Sequence, residues 1–345
     1  MKIRYILLVA ALLPWLATSA QSSQKNTKTA KQSFVAVFYN IENLYDTQDD
    51  PKINDDEFTP AGKVPWTEER LQTKIEHISQ VLTDIASPAM PDLVGFAEVE
   101  NQQVLEMLTS SAGLSKTKYS IVHYDSPDER GIDVAMLYNP GTFTVISSEP
   151  LQVMLPGNDL TRDILYVKGK LRSGEIMHVF INHWPSRREG SDISAPKRMA
   201  AADVLRAKLD VIQKLEKSPN ILILGDFNDE PSDNSITVGI KALNPDNKIS
   251  NNGIYSLLYP NLTRGEGSLY YKDWDLFDQV IVSGNTLTRK KGLRTSLTDA
   301  GIFKADYLLF KTKTGEERPN RTMSGEKYFG GYSDHMPVYV KFIVK

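Results

Sequence analysis

Side chains suited to phosphate ester chemistry lie next to apolar, strand-like runs at several separate places in the sequence. They are carboxylates, amides and histidines, which bind divalent cations, move protons and hold phosphoryl oxygens. Four such segments follow apolar runs: Asn40-Ile41-Glu42-Asn43, Glu98, Asn182-His183-Trp184-Pro185 and Gly225-Asp226-Phe227-Asn228-Asp229. Two more precede apolar runs: Trp274-Asp275-Leu276-Phe277-Asp278 and Tyr332-Ser333-Asp334-His335. Because strand ends can meet at one edge of a sheet, we expect these side chains to converge on one crevice.

Each segment also has an ordinary structural explanation when it is taken alone. Asn40 can end a strand, and Glu98 can be a solvated acid at a helix start. Asp226 and Asn228 belong to residue types that favour turns, and Ser333-Asp334-His335 can be a cap. It is the order of all the segments along one chain that indicates a shared site.

The elements that must position these residues alternate between strands and helices. Apolar, β-branched runs predict strands at the following segments: Phe34–Tyr39, Leu93–Val99, Ile132–Tyr138, Ile164–Leu171, Ile176–Ile181, Ile221–Leu224, Phe277–Val282 and Val338–Ile343. One helix is predicted after the N-cap Thr67, with Leu71, Ile75, Ile78, Leu82 and Ile85 on one face. A second helix is predicted from about Pro196 to Leu215. This alternation indicates an α/β domain in which helices cover sheets.

Three segments are predicted to be long loops: Asp46–Pro65, Pro185–Ser194 and Lys311–Gly331. The first is acidic and rich in turn residues. Calcium binding is one interpretation of it, but the loop lacks the EF-hand order of ligands and glycine. We therefore expect a solvated loop.

The N-terminus has the pattern of a signal peptide over residues 1–20. Lys2 and Arg4 precede an apolar run, and Leu16-Ala17-Thr18-Ser19-Ala20 supplies small residues for cleavage. An uncleaved anchor is the alternative, although the run is shorter than the roughly 20 residues that span a bilayer. We expect a flexible segment over 21–33, a single domain over 34–345, no stable membrane insertion, and export to the periplasm or the medium.

Composition excludes several classes of chemistry. The 345 residues include no cysteine, which rules out disulfides, thiolate zinc sites and cysteine nucleophiles. The chain has 40 basic and 43 acidic residues, a formal charge of −3. This balance is unlike that of proteins that grip long nucleic acid through its backbone, although local basic patches remain compatible with it.

The order of the polar segments resembles the endonuclease/exonuclease/phosphatase superfamily, which includes deoxyribonuclease I, apurinic endonucleases, neutral sphingomyelinases and inositol polyphosphate phosphatases. The resemblance extends from Phe34 to Phe342, and its most specific part is Gly225-Asp226-Phe227-Asn228 combined with the late Ser333-Asp334-His335. It implies a four-layer α-β-β-α sandwich of two mixed sheets flanked by helices, with the site at one rim. It also implies a metal-dependent phosphoric ester hydrolase.

The resemblance implies roles for individual residues. Glu98 would be the principal Mg²⁺ ligand, helped by Asn40, with Mn²⁺ as the alternative ion. Asp334 would support that ion or a second one. Asp226 would orient or deprotonate the attacking water, and Asn228 would hold a phosphoryl oxygen. Oxygen donors of this kind are those that Mg²⁺ prefers.

Two histidines complete the implied site. His335 would contact the phosphate while Asp278 holds its other ring nitrogen, which favours the imidazolium. His183 would be the general acid that protonates the leaving oxygen, with a purely structural histidine as the alternative. The carboxylate that orients His183 stays open between Asp125 and Asp133.

Arginines near these segments are candidate phosphate ligands. Arg162 resembles the phosphate-contacting arginine of the deoxyribonuclease branch, and a surface salt bridge is the alternative. Arg187 and Arg188 follow His183 and would grip substrate phosphates, because arginine matches phosphate in bidentate fashion. Solvated surface is the competing interpretation of both.

These inferences predict an exported, Mg²⁺-dependent phosphodiesterase, foremost an endo- or exonuclease in which an activated water attacks in line. One alternative is a phosphomonoesterase or lipid phosphodiesterase of the inositol phosphate or sphingomyelin type. Another is a non-catalytic binding module with the same fold. The expected partner is nucleic acid or another phosphate ester, and no obligate protein partner is inferred.

Overall fold

The computed structural model describes residues 32–245 and 248–344, which form a layered α/β structure. The predicted signal peptide, 1–20, and the flexible segment up to residue 31 lie outside the described residues. The strands, in chain order, are β1 Gln32–Leu44, β2 Leu93–Val99, β3 Ser120–His123, β4 Asp133–Tyr138, β5 Phe143–Leu151, β6 Ile164–Leu171, β7 Ile176–His183, β8 Ile221–Asp226, β9 Ala242–Leu243, β10 Ile254–Ser256, β11 Leu269–Tyr270, β12 Trp274–Asp275, β13 Asp278–Ser283, β14 Ala300–Ile302, β15 Leu309–Lys311, β16 Glu317–Pro319, β17 Met323–Ser324, β18 Lys327–Tyr328 and β19 Val338–Val344. The helices are α1 Glu68–Ile85, α2 Gln102–Ser110, α3 Ser191–Leu215, α4 Tyr259–Thr263 and α5 Gly284–Thr288, with a π-helical turn at Ser235–Gly239 and 3₁₀ turns at Asp56–Phe58, Pro156–Asn158, Leu297–Asp299 and Asp306–Leu308.

Two large sheets carry the fold. The first has the strand order β14-β19-β1-β2-β4-β3, and the second has the order β5-β6-β7-β8-β13-β10-β9. Both are mixed: β1 is parallel to β2 but antiparallel to β19, and β7 is parallel to β8 while β8 is antiparallel to β13. Short hairpins β11-β12, β15-β16 and β17-β18 lie outside the large sheets.

Side-chain alternation along the strands produces three apolar layers. Phe38 of β1 and Val179 of β7 belong to the core between the two sheets. Tyr39, one residue later, faces the core beneath α1 and α2, and Phe180 faces the core beneath α3. Because both faces of each sheet are covered, the central strands are nearly continuous apolar runs. The predicted four-layer α-β-β-α sandwich of two mixed sheets is confirmed.

Most predicted elements are present, and the differences have physical causes. Strand β5 was not predicted because it lies at a sheet edge with much of its length exposed, so its sequence lacks a clear apolar pattern. Helix α3 begins at Ser191 rather than Pro196, and the proline stands inside the helix. Within the described part of the chain, no helix combines the length and apolar character needed to cross a membrane.

The acidic loop is not solvated throughout, so that prediction is wrong for its anchoring residues. Asp46 and Asp55 are buried, whereas Asp49 is exposed. The Asp46 N–H donates to a Glu100 carboxylate oxygen at 2.5 Å. Burial, together with the charges of Asp46, Asp55 and Asp50, raises the pKa of Glu100 to about 8. Buried carboxylates therefore hold the loop in place, and the loop is not solvated along its whole length.

Candidate active site

Three predicted site residues lie side by side at one rim of the second sheet. His183 ends β7, Asp226 ends β8 and Asp278 begins β13. The strand register places His183 opposite Asp226, and Asp226 opposite Asp278. Gly225 permits this arrangement, because a Cβ there would lie 2.5 Å from the Cβ of Asn182 on the neighbouring strand. The polar ends of separate sequence segments thus form one continuous row.

The first sheet contributes Asn40 from β1 and Glu98 from β2. Asn40 Nδ2 donates to Asp226 Oδ2 at 3.0 Å, a hydrogen bond that joins the rims of the two sheets. His183 Nε2 lies 4.0 Å from Glu98 Oε1 and 3.7 Å from Asp226 Oδ2. The predicted convergence of these segments on one site is therefore observed.

Backbone irregularities aim two of these side chains. Glu98 has φ +66°, and the β2-β4 register shifts between Ala97 and Val99. Asn228 has φ +49°. Few residues other than glycine adopt the left-handed region, and bulges commonly re-aim side chains beside functional sites. Because of the bulge, the Glu98 side chain does not follow the alternation of side-chain directions along β2.

His335 is held as a charged imidazole between two carboxylates. Its Nδ1 lies 2.6 Å from Asp278 Oδ2, and its Nε2 lies 3.8 Å from Asp226 Oδ2. Burial opposes the charge, but Asp278 and Asp226 raise the pKa of His335 well above its ordinary value. Ser333 Oγ donates to the Asn40 carbonyl at 2.7 Å, which fixes the loop that carries the histidine.

Asp226 lies at the centre of the site. Its Oδ1 accepts the Asn228 N–H at 2.9 Å, while its Oδ2 accepts the Asn40 amide. Burial raises the pKa of Asp226 to about 6, although the charge of His335 lowers it and that of Asp278 raises it further. The Asn228 side chain donates to the Trp184 carbonyl at 3.0 Å.

His183 is neutral in this arrangement. Burial, together with the charges of Arg162 and Arg130, lowers its pKa well below the ordinary value. Its Nδ1 is buried without a hydrogen-bond partner in the described chain. Neither Asp125 nor Asp133 bonds to it: Asp133 binds a different histidine at the end of β3, and the Asp125 side chain is 91% exposed.

Two arginines influence the charge of His183. Arg162 donates to Asp128 Oδ2 at 2.8 Å and to the Trp184 carbonyl at 2.8 Å, a buried ion pair and not a surface one. Arg130 donates to Asn43 Oδ1 at 2.6 Å. Burial lowers the pKa of Arg130, but the nearby charges of Glu98, Tyr45, Asp128 and Glu57 together raise it. Sequence reasoning missed Arg130, although it lies two residues before a predicted strand.

The two arginines after His183 differ in their surroundings. Arg187 donates to the Asn228 carbonyl at 2.6 Å and to the carboxylates of Asp229 and Asp233 at 2.6 and 2.5 Å. Arg188 is exposed. Protein carboxylates thus neutralise the charge of Arg187, whereas Arg188 faces solvent.

Asp334 belongs to a network of charges behind the site. It forms an ion pair with Arg321 at 2.6 Å, and Arg321 also lies 3.5 Å from the buried Glu42. Burial and the charge of Asp334 raise the pKa of Glu42 to about 7, opposed by the charge of Lys74. Lys74 donates to Thr322 Oγ1 at 2.5 Å. Sequence reasoning gave neither Glu42 nor Lys74 a role, because Glu42 lies in β1 and Lys74 in α1, and only the tertiary fold brings them together.

The donor set fits a hard divalent cation. Glu98 supplies a carboxylate that is 15% exposed, and Glu98 Oε1 and Asp226 Oδ2 both lie within 4.0 Å of His183 Nε2, while Asn40 Oδ1 accepts the Glu42 N–H at 3.1 Å. Among the residues that the structure describes, Glu98 forms no ion pair with lysine or arginine. Oxygen ligands of this kind suit Mg²⁺ or Mn²⁺, and the partly exposed Glu98 is open to solvent, whereas Asn40 and Asp226 are buried.

Comparison with known proteins gives a consistent family match. A family model described as "Endonuclease/Exonuclease/phosphatase family" matches residues 35–344. No match is found among curated protein sequences.

Solved structures share the fold at low sequence identity. D. rerio TDP2 complexed with single strand DNA product is 14% identical with a TM-score of 0.56, and the match covers 90% of this chain and 98% of that one. A mannosyl-6-phosphatase of Bacteroides thetaiotaomicron VPI-5482 is 14% identical with a TM-score of 0.55, covering 90% and 99%. The human Nocturnin catalytic domain with bound sulfate is 16% identical with a TM-score of 0.54, covering 91% and 95%.

Proposed function

The chain belongs to the endonuclease/exonuclease/phosphatase family, and we propose that it is a Mg²⁺-dependent phosphodiesterase that hydrolyses nucleic acid. The observation that supports this most directly is the contact set around Asp226. The Asn40 side-chain amide and the Asn228 backbone N–H donate to its carboxylate, and both His183 and His335 lie within 4 Å of it. A protein that only binds its ligand does not need a carboxylate surrounded by two histidines and two amide groups.

Each side chain has a task in the proposed reaction. Glu98 and Asn40 would hold the ion, which, when bound, neutralises charge on the phosphoryl oxygens. Asp226 orients the attacking water and accepts its proton. The His335 imidazolium and the Asn228 amide stabilise the charge that develops on the phosphoryl oxygens.

His183 is assigned as the proton donor to the leaving oxygen. Burial and two arginines keep this histidine neutral in the free protein. The assignment therefore requires the negative charge of the bound phosphate to favour the protonated ring. The competing role is a neutral hydrogen-bond donor to a phosphoryl oxygen.

A phosphomonoesterase is the second candidate, and a specific observation favours it. Arg162 and Arg187, two of the three arginines proposed to contact phosphate, are paired with protein carboxylates. Only Arg188 faces solvent. A small phosphorylated substrate needs fewer free cations than a nucleic acid backbone does, and one structural neighbour is a mannosyl-6-phosphatase.

Turnover assays on the purified chain from Gln21 onward test the proposal. We expect EDTA to abolish hydrolysis of DNA and of bis-p-nitrophenyl phosphate, and Mg²⁺ or Mn²⁺ to restore it. Glu98→Gln should raise the Mg²⁺ concentration needed for half-maximal rate and lower the rate, while the exposed Glu106→Gln serves as the matched control. Full activity in EDTA would refute metal dependence. Hydrolysis of sugar or inositol monophosphates without cleavage of DNA or RNA would favour the second candidate.

We also propose export, on the basis of the signal-peptide pattern over residues 1–20. Fractionation of a producing cell should recover the protein outside the cytoplasm with its N-terminus near Gln21. A protein that stays in the cytoplasm with residues 1–20 attached would contradict this proposal.

A further inference from the structure

A histidine and two carboxylates outside the active site cluster at the end of β3. His123 is the last residue of β3 and Asp133 the first of β4, and their side chains are 3% and 4% exposed. His123 Nε2 lies 2.9 Å from Asp133 Oδ2, and His123 Nδ1 lies 3.9 Å from Asp125 Oδ1. Each of the three residues offers one ligand atom, and these atoms all lie within 4.8 Å of one another. The proposed hydrolysis uses none of them.

The hydrogen bonds indicate which ring nitrogen of His123 carries the proton. Asp133 Oδ1 accepts the Ser126 N–H at 2.8 Å, which fixes the orientation of the carboxylate. An ionised carboxylate only accepts hydrogen bonds, so the proton of a neutral His123 lies on Nε2. The lone pair is then on Nδ1, the nitrogen that faces Asp125. A carboxylate that orients a histidine in this way is the usual support of a metal ligand.

Among the described residues, no lysine or arginine neutralises the carboxylates around His123. Within the described ranges, Asp125, Asp133 and Asp163 form no ion pair with lysine or arginine. Asp163 Oδ1 is buried without a hydrogen-bond partner. Burial and, to a lesser degree, the charge of Asp133 raise the pKa of Asp163. A group of carboxylates without a counter-charge gains from a bound cation.

We propose that His123 Nδ1 and Asp125 bind a divalent transition-metal ion such as Zn²⁺ at a site separate from the proposed Mg²⁺ site. Imidazole with carboxylate suits Zn²⁺ better than Mg²⁺ or Ca²⁺. Zn–N and Zn–O distances of about 2.1 Å at a tetrahedral angle place the two ligand atoms about 3.4 Å apart. Their separation is 3.9 Å, and the exposed Asp125 side chain is free to close the difference. Water fills the remaining coordination positions.

The competing explanation is an imidazolium that bridges two carboxylates. A doubly protonated ring has no lone pair and does not bind a metal. The two explanations therefore differ in whether the protein takes up Co²⁺, which replaces Zn²⁺ and reports ligand geometry through its visible absorption. The proposal does not depend on the hydrolase activity, because its readout is metal binding.

Co²⁺ titration of the purified full chain in excess Mg²⁺ tests the site by calorimetry and visible absorption. We expect one Co²⁺ site whose affinity falls at least about tenfold in Asp125→Asn, which removes an exposed ligand and leaves the fold intact. His123→Gln should abolish binding, and Glu129→Gln, an exposed carboxylate in the same loop, should leave it unchanged. Glu98→Gln should retain the site. Absence of Co²⁺ binding, unchanged affinity in Asp125→Asn, or loss of binding in Glu98→Gln would overturn the proposal.

Discussion

The Nδ1 atom of His335 lies 2.6 Å from Oδ2 of Asp278, and both side chains are buried. Asp278 also lies opposite Asp226 in the β8-β13 register. Asp278, the first residue of β13, is therefore the carboxylate that keeps His335 charged. It stands beside Asp226, the carboxylate that would act on the water. In the proposed reaction a cationic donor and a water-activating carboxylate thus stand next to each other.

Asp278→Asn should lower kcat by about 10²-fold, the usual cost of disturbing one donor to a developing charge. It should also shift the alkaline limb of the pH–rate profile to lower pH. The sign follows from His335: a nearby carboxylate raises its pKa, so removal of that charge lowers the pKa, and the active imidazolium is lost at a lower pH. The measurement is the pH–rate profile together with an NMR titration of His335. Asp273→Asn is the control, because Asp273 is an exposed aspartate in the β11-β12 turn. An alkaline limb that does not move in Asp278→Asn would show that Asp278 does not set the charge of His335.

Arg188→Ala should weaken binding to long DNA and make that binding less dependent on salt. Each phosphate contact that is lost reduces the slope of log affinity against log salt by about one. Arg172→Ala is the matched control, because Arg172 is equally exposed but lies just before β7 begins, far from the strand end that carries His183. Equal slopes for wild type and Arg188→Ala would place Arg188 outside the nucleic acid path.

Glu100→Gln should stabilise the protein at alkaline pH. The folded-state pKa of Glu100 is raised from 4.5 to about 8, so its favourable protonated form is fully present below pH 4.5. Its contribution is lost as pH rises through 8, and the neutral amide avoids that loss. Urea unfolding should show a gain on the order of 2 kcal/mol at pH 9 and almost none at pH 4.5. Glu106→Gln should show no such pH dependence, and a gain of equal size at both pH values in Glu100→Gln would contradict the burial argument.

Sequence alone placed much of the candidate site because its residues stand at the ends of apolar strands. His183, Asp226 and Asp278 could be placed at one rim before their neighbours were known, since β7, β8 and β13 were all predicted. The bulge that aims Glu98 could not be foreseen, because a positive φ at glutamate has no local sequence signal. Local sequence therefore gave the positions of the site residues but not the backbone that orients them.

The pairing of charges was the other feature that sequence could not supply. Arg187 could be assigned to phosphate because Asp229 and Asp233, its actual partners, are more than 40 positions away. In the same way, the burial of Glu42 beside Lys74 depends on the packing of α1 against β1, which only the tertiary fold brings together. Long-range ion pairs are set by the packing of whole elements and not by nearby sequence.

The role of His183 can be tested through the leaving group. If His183 protonates the departing oxygen, its loss matters most for a poor leaving group such as the 3′-oxygen of a nucleotide. It matters little for p-nitrophenolate, which departs without a proton. His183→Ala should therefore keep much of its activity on an aryl ester, yet lose about 10²–10⁴-fold on DNA.

Two further measurements separate the acid role from its competitor. A general acid must be protonated, so the part of the alkaline limb on DNA that is due to His183 should be absent in His183→Ala, which leaves the limb set by His335, while the profile on the aryl ester keeps its shape. His178→Ala is the control, because His178 is a buried histidine of the same strand that bonds Tyr166 and Glu216 away from the site. Equal losses on both esters in His183→Ala would mean that the neutral ring, whose Nε2 lies 3.7 Å from Asp226, binds the phosphate instead. The proton for the leaving oxygen would then have to come from another donor.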